Sequence, residues 1–472
     1  MPYTEGYSSR EVPFAEPGKR MQAAIPSTRQ PGSRPAAAGD RLAGAVGILI
    51  VFLPVLATFL YVVSLSVEAP FVDDWDVFVP AFHHQAEGHL QWSDINAQHT
   101  ESLIVFPLAA SLILAKITGG RLLAITYLSY LFLCGALGVL FLFFRMLRLP
   151  GRWSVLWFLP ASLLFLGWGQ WEGLLWSTYL VNTMALFFIL ASLYCCTRVS
   201  RAPIFFPAAV ACGWIASFSM ASGLLVWFSG AVALVGAGTG KLRFEERLRL
   251  VAGWLIVGAV CVACFFFDIG PHPVPWPTGI HYVLANPGAA VRYALTYLGG
   301  PLASPSLALY AGIALVLLAL PITFLALRKI GREGVAPGLL MALYVGTALI
   351  PLLDRRLGLG VGQASASRYV TAAALAPLGI YFCSLGLART VPASRYLTAA
   401  MILLMAFGIV NSYQSGLIDG RRQWKERTAC AAAIKDFRHI DSRRLVCAYP
   451  DPGVVFERAP LLQRDHLSLF AQ

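Results

Sequence analysis

Charge is scarce in this chain. Asp, Glu, Lys and Arg make up 13% of its 472 residues, against ~25% in a soluble globular chain. That shortage argues against a cytosolic enzyme, a disordered chain or a coiled coil. Signatures for nucleotides and common hydrolytic chemistry are also missing. No GxGxxG, Walker loop, HExxH or GxSxG stands in a suitable context, so a soluble nucleotide-sugar or ATP donor is not readable. Cysteine is present without a metal pattern. Of the nine, Cys195, Cys196, Cys261 and Cys264 lie inside apolar blocks, and the CxxC at 261–264 has no second ligand pair after it. The cysteines read as small apolar fillers, and no metal ligand is assigned. Internal repeats, one sign of a transporter, are not visible.

What fills the chain is hydrophobic: 57% of it, in blocks long enough for a bilayer, which needs ~20 residues. The pattern predicts an all-α, polytopic transmembrane helix bundle. Eleven spans are expected, at 43–66, 122–144, 153–168, 178–195, 204–220, 222–238, 250–267, 302–327, 336–352, 370–388 and 396–414. Residues 1–42 read as a disordered, basic cytoplasmic tail without a signal-peptide pattern. Residues 415–472 read as a small extramembrane region. The net charge of +12 lies mainly between the apolar blocks, so it reports membrane topology and not a nucleic-acid partner.

Orientation follows from Lys and Arg. The tail before the first span carries six of them, whereas 67–102 has seven acids and no Lys or Arg. That loop reads as exported. If 103–118 lies on the outer face as a surface helix, every later basic cluster up to Arg389/Arg395 falls inside. The exported loops are then 67–121, 268–301 and 353–369. The region 415–472 also falls outside, against the pull of Arg421, Arg422, Lys425 and Arg427. The expected location is the cell (inner) membrane, with the N-terminus cytoplasmic and the functional face outward.

The unusual polar residues gather on that face. Asp73, Asp74 and Asp76 put three carboxylates in four residues just past the first span. Such crowding raises a pKa or calls for a cation, so the cluster reads as a general base or a divalent-cation site; an acid-rich solvated loop is the bland alternative. No other cofactor is implied. His99 and Glu101 could bind an acceptor hydroxyl or cap the surface helix. Gln170 and Glu172 stand among tryptophans, a mixture that suits sugar rings or a plain interfacial belt. His272 lies in a proline-rich stretch. Arg355 and Arg356, then Arg368 and Tyr369, bracket a Gly-rich outer loop. Arginine outside runs against the usual trend. It suits a phosphate, lipid headgroups or an ion pair with Asp354.

This arrangement resembles the GT-C superfamily of membrane glycosyltransferases. Asp73-Asp74 stands where those proteins carry an acidic motif after the first span, and 103–118 matches their surface helix. Trp168-Gly-Gln-Trp-Glu-Gly-Leu-Leu-Trp176 and Ala366-Ser-Arg-Tyr369 look like a bacterial branch of such proteins. The resemblance implies a sugar moved from a polyprenyl-phosphate carrier to a glycan, lipid or protein acceptor. Asp73 or Asp74 would be the base, with Arg368 at the carrier phosphate. Trp75-Asp76 departs from the family pattern and leaves open which Asp acts. Two rival readings remain: a transporter or flippase for a lipid-linked or anionic solute, and a non-catalytic glycolipid-binding relative. Spans almost free of charge speak against transport.

Overall fold

The computed structural model describes residues 38–236, 243–267, 269–270, 275–330 and 332–471. The described residues are helical almost throughout; a hairpin of two-residue strands, Gln98–His99 against Ser102–Leu103, is the one sheet among them. Eight helices there are long and apolar enough to cross a membrane: Gly44–Leu65, Leu122–Arg145, Ser177–Cys196, Phe244–Phe267, Ala308–Lys329, Gly338–Leu359, Ser367–Ala388 and Pro392–Lys435. Each overlaps an expected span.

The other three expected spans are shorter than a full crossing. Segment 153–168 becomes a 3-10 turn, Ser154–Phe158, and a seven-residue helix, Leu159–Phe165. Segments 204–220 and 222–238 become Phe205–Ser217 and Val226–Gly236, joined through the 3-10 turn Ala221–Leu225. Thirteen residues rise only ~20 Å, short of the ~30 Å hydrocarbon layer. Gly223 makes the tight turn possible, because a Cβ there would overlap the Ala216 carbonyl.

Segment 103–118 forms the helix Val105–Thr118. Leu108, Leu112 and Ala115 are buried, while Ile113 and Ile117 are 63% and 75% exposed. It is too short to span, and its bare aliphatic side suits lipid contact. Gly119 ends it in the left-handed conformation. The next long helix starts at Leu122, where both Glu68 carboxylate oxygens accept from the free Leu122 and Leu123 N–H groups at 2.8 and 3.0 Å. A carboxylate at a helix N-terminus satisfies its orphan donors and its dipole.

The expected boundary at 414 is not a break. Arg395–Lys435 is one helix of 41 residues, ~62 Å long, so it leaves any bilayer as a stalk. Along it Gly408, Ser412, Gly416 and Gly420 form a small-residue seam. The seam admits the Leu302 backbone, the Trp168 backbone and the Tyr61 ring at van der Waals range.

The first loop and the C-terminal region are likewise not separate. Trp75, Phe78 and Phe82 of the loop share a second apolar core with Leu108, Ile434, Leu445, Val455 and Leu462. Polar clasps close over it: Arg458 to Asp76 at 2.7 Å, His83 to Asp465 at 2.6 Å and Arg464 to Glu87 at 2.7 Å. Arg458 and Arg464 of the C-terminal region thus have acidic partners in a loop without Lys or Arg, and Asp465 meets a histidine of that loop. Cys430 and Cys447 form a disulfide within this body, which corrects the reading of every cysteine as an apolar filler.

Candidate active site

The three carboxylates of the acidic cluster diverge. The helix Asp73–Val77 turns Asp74 inward, where it is 0% exposed. Its Oδ1 accepts from Ser177 Oγ at 2.7 Å, from Thr178 N at 3.1 Å and from the Thr178 hydroxyl; Oδ2 accepts from Phe71 N at 3.0 Å. Burial pushes the Asp74 carboxyl up to about 6, opposed by the Thr178 and Ser177 hydroxyls, by Arg427 and by the Phe71 N–H. Asp76 points to the C-terminal body, to Arg458 and to Tyr449 Oη at 2.8 Å. Asp73 remains accessible, 39% exposed at its side chain, with its Oδ2 3.6 Å from His99 Nε2. The expected repulsion is relieved by three separate partners. Among the described residues, no group of three or more His, Cys, Asp or Glu side chains is placed to hold a metal ion.

The hairpin carries His99 toward Asp73 and, on either side of it, Gln98, Thr100 and Glu101 into a cavity of about 740 Å³. The mouth of this cavity is polar. Arg356 Nη2 donates to both Glu101 oxygens, at 3.0 and 3.3 Å, and the guanidinium lies over Trp276. Asp354 and Arg355 pair at 3.4 Å on the same rim. Arg368 and Tyr369 line it too, with the guanidinium 5.4 Å from the Tyr369 ring. Asp73 lies near enough for its charge to act on Arg368. The depth is apolar, with Leu186, Ile189, Leu224, Leu225 and Phe265.

Arg368 is not paired with Asp354. Its Nη1 lies 3.4 Å from Glu172 Oε1, its backbone N–H donates to Glu172 Oε2 at 2.9 Å, and its Nη2 donates to Gln363 Oε1 at 2.9 Å. Glu172 N donates to Ser367 Oγ at 3.0 Å, the Thr371 hydroxyl donates to Gln170, and the Tyr179 hydroxyl donates to the Arg368 carbonyl. The Trp168–Trp176 string and the Ser367-Arg368-Tyr369 string are therefore one interlocked unit. Gln170 is buried and also donates to the Phe165 carbonyl at 2.7 Å, so it braces that unit from behind.

The structure thus brings Glu101, Arg355, Arg356, Arg368 and Tyr369 to one cavity and sets Asp73 with His99 beside it. Glu172 stands behind Arg368; Asp74, Asp76 and Gln170 face elsewhere. His272 lies outside the described residues. Sequence reasoning misses Tyr179, Tyr297 and Tyr344, which also line the cavity. For Tyr179 and Tyr344 the available signal was a phenol inside an apolar span; Tyr297 lies in the expected loop 268–301 and carried no such signal. No protein-family model, curated protein or solved structure matches the chain.

Proposed function

We propose that the chain is an integral membrane glycosyltransferase that moves a sugar from a polyprenyl-phosphate carrier to an acceptor hydroxyl on the outer face. The observation that carries this reading is the cavity with an arginine-bearing mouth and an apolar depth. A carrier lipid has the same division: phosphate at the interface, hydrocarbon below. Asp73, exposed and beside His99, takes the proton from the acceptor oxygen. That oxygen forms a bond to the anomeric carbon as the bond from that carbon to the phosphate oxygen breaks. Arg368 and Arg356 stabilise the departing phosphate; each already faces a carboxylate, so the phosphate shares or displaces Glu172 or Glu101. A single displacement inverts the anomeric centre.

The topology proposed with it puts the N-terminus inside and has eleven passes; the three that are too short as single helices, 153–168, 204–220 and 222–238, pass together with the 3-10 turns Ser154–Phe158 and Ala221–Leu225 packed inside the bundle, where broken helix is tolerated at membrane depth. The mouth arginines Arg355, Arg356 and Arg368 then fall at outer ends of helices. The Cys430–Cys447 bond supports the outer placement of the joint C-terminal body, since disulfides persist in oxidising compartments. Lipid mass spectrometry of cells lacking the protein tests the reading. A polyprenyl-phosphate sugar should accumulate, and purified protein should consume it. Unchanged polyprenyl lipids together with no consumption would overturn it.

A further inference from the structure

Behind Arg368 lies a second cavity, of about 350 Å³. Arg368 is the one residue that lines both. Its character differs from the first. The wall is formed by the Ser412 and Ser415 hydroxyls and Asn411 of the long helix, by Gln363 and Ser365, and by the Trp171 ring. The hydrogen bonds already made leave a mixed inventory. Ser412 Oγ accepts from Gly169 N at 2.9 Å, which leaves its proton to donate. Ser365 and Ser415 donate to backbone carbonyls at 3.0 and 2.8 Å, which leaves their lone pairs to accept. Gln363 has its oxygen engaged by Arg368, which leaves its amino group. Each carboxylate on the wall already has a cation, Glu172 in Arg368 and Asp419 in Arg422 at 3.1 Å. An anion has little to gain there. A neutral polyol, which donates and accepts at each hydroxyl and lays an apolar ring face on an aromatic, matches these walls.

We propose that this second cavity is a saccharide subsite that holds a neutral sugar unit of the acceptor, next to the unit whose hydroxyl reacts. The assignment of the bound sugar to an acceptor rests on the transferase reading; the binding of a saccharide does not. Arg368 then serves both sides: its guanidinium faces the carrier phosphate in the first cavity and forms part of the partition to the second. The small residues at 412 and 415 keep this space open, and the helix can tolerate a larger one at 415, since the Ser415 hydroxyl bonds only within that helix.

The test uses full-length protein in lipid nanodiscs, with the methyl glycosides of glucose, mannose, galactose and arabinose as probes. Saturation-transfer NMR should show saturable contact with at least one. Ser415→Phe fills the cavity and should abolish that contact, and Asn411→Ala should weaken it several-fold. The thermal transition reports whether each variant is folded; if Ser415→Phe is not, Asn411→Ala decides. The proposal is overturned if none of the four glycosides binds, if binding survives these substitutions in folded protein, or if inorganic phosphate displaces the glycoside. Binding without any transfer from a polyprenyl-phosphate sugar would instead remove the transferase reading and leave the subsite in place. Transfer with an unchanged acceptor KM in Ser415→Phe would remove the subsite and leave the transferase.

Discussion

Asp73 and Asp74 are neighbours in sequence with opposite surroundings. Asp73 is accessible and sits beside His99; Asp74 is enclosed by four donors. Asp73→Asn should therefore lower transfer ~10²–10⁴-fold, the usual cost of losing a general base, without moving the thermal transition. Asp74→Asn keeps an acceptor for Ser177 and Thr178 and should retain most activity. Asp74→Ala strands those donors and should cost ~1–3 kcal/mol or more, read by thermal unfolding in detergent. The pH dependence has a definite sign. Asp74 rises from 3.8 to about 6 on folding, so the folded state binds this proton more tightly than the unfolded one. Its contribution to stability is complete below about pH 4 and is lost as pH rises through about 6. The stability of the parent relative to Asp74→Asn should be greater at pH 4 than at pH 7. An equal margin at both would contradict the buried placement.

At the scale of elements, the long helix and its attachments do most of the assembling. Its seam lets Gly416 meet the Trp168 backbone, which positions the Glu172–Arg368 unit. Gly416→Leu cannot fit there and should prevent a stable bundle, seen as loss of the monodisperse peak in size-exclusion chromatography. At the far end the disulfide closes a loop of 17 residues. Removing it with Cys447→Ser should lower stability by ~3 kcal/mol in the chain-entropy account. Addition of reductant to the parent should lower its melting temperature and leave that of the variant unchanged. Periodicity announces neither device. The small residues of the seam, three glycines and Ser412, are spaced by four inside a segment whose sequence reads first as a hydrophobic block and then as a charged tail.

For the molecule as a whole, the first loop and the C-terminal region form one body on one side. Ser93→Cys and Ser442→Cys, made in a background that keeps only the Cys430–Cys447 pair, should label from the same side of a sealed membrane. Labelling from opposite sides would break the eleven-crossing proposal. The same body pairs two arginines of the C-terminal region with the first loop. Arg458 answers Asp76, 382 residues away in sequence, and Arg464 answers Glu87, 377 residues away.

Long apolar runs by themselves determined the helical membrane class, because a bilayer leaves the backbone no other partner than its own carbonyls. The lack of Lys and Arg in 67–102 and the shortness of the helix in 103–118 were legible for the same reason: charge and span length act locally along the chain. The site was legible only as a set of suspects. Which carboxylate stays accessible depends on Ser177 and Thr178, a hundred residues from Asp74. Which partner Arg368 takes depends on Glu172, from another helix, and not on Asp354 in its own loop. Those choices were decided by tertiary packing, since a buried charge is settled by whichever donors or acceptors the fold brings within 3 Å or so, and sequence separation carries no information about that distance.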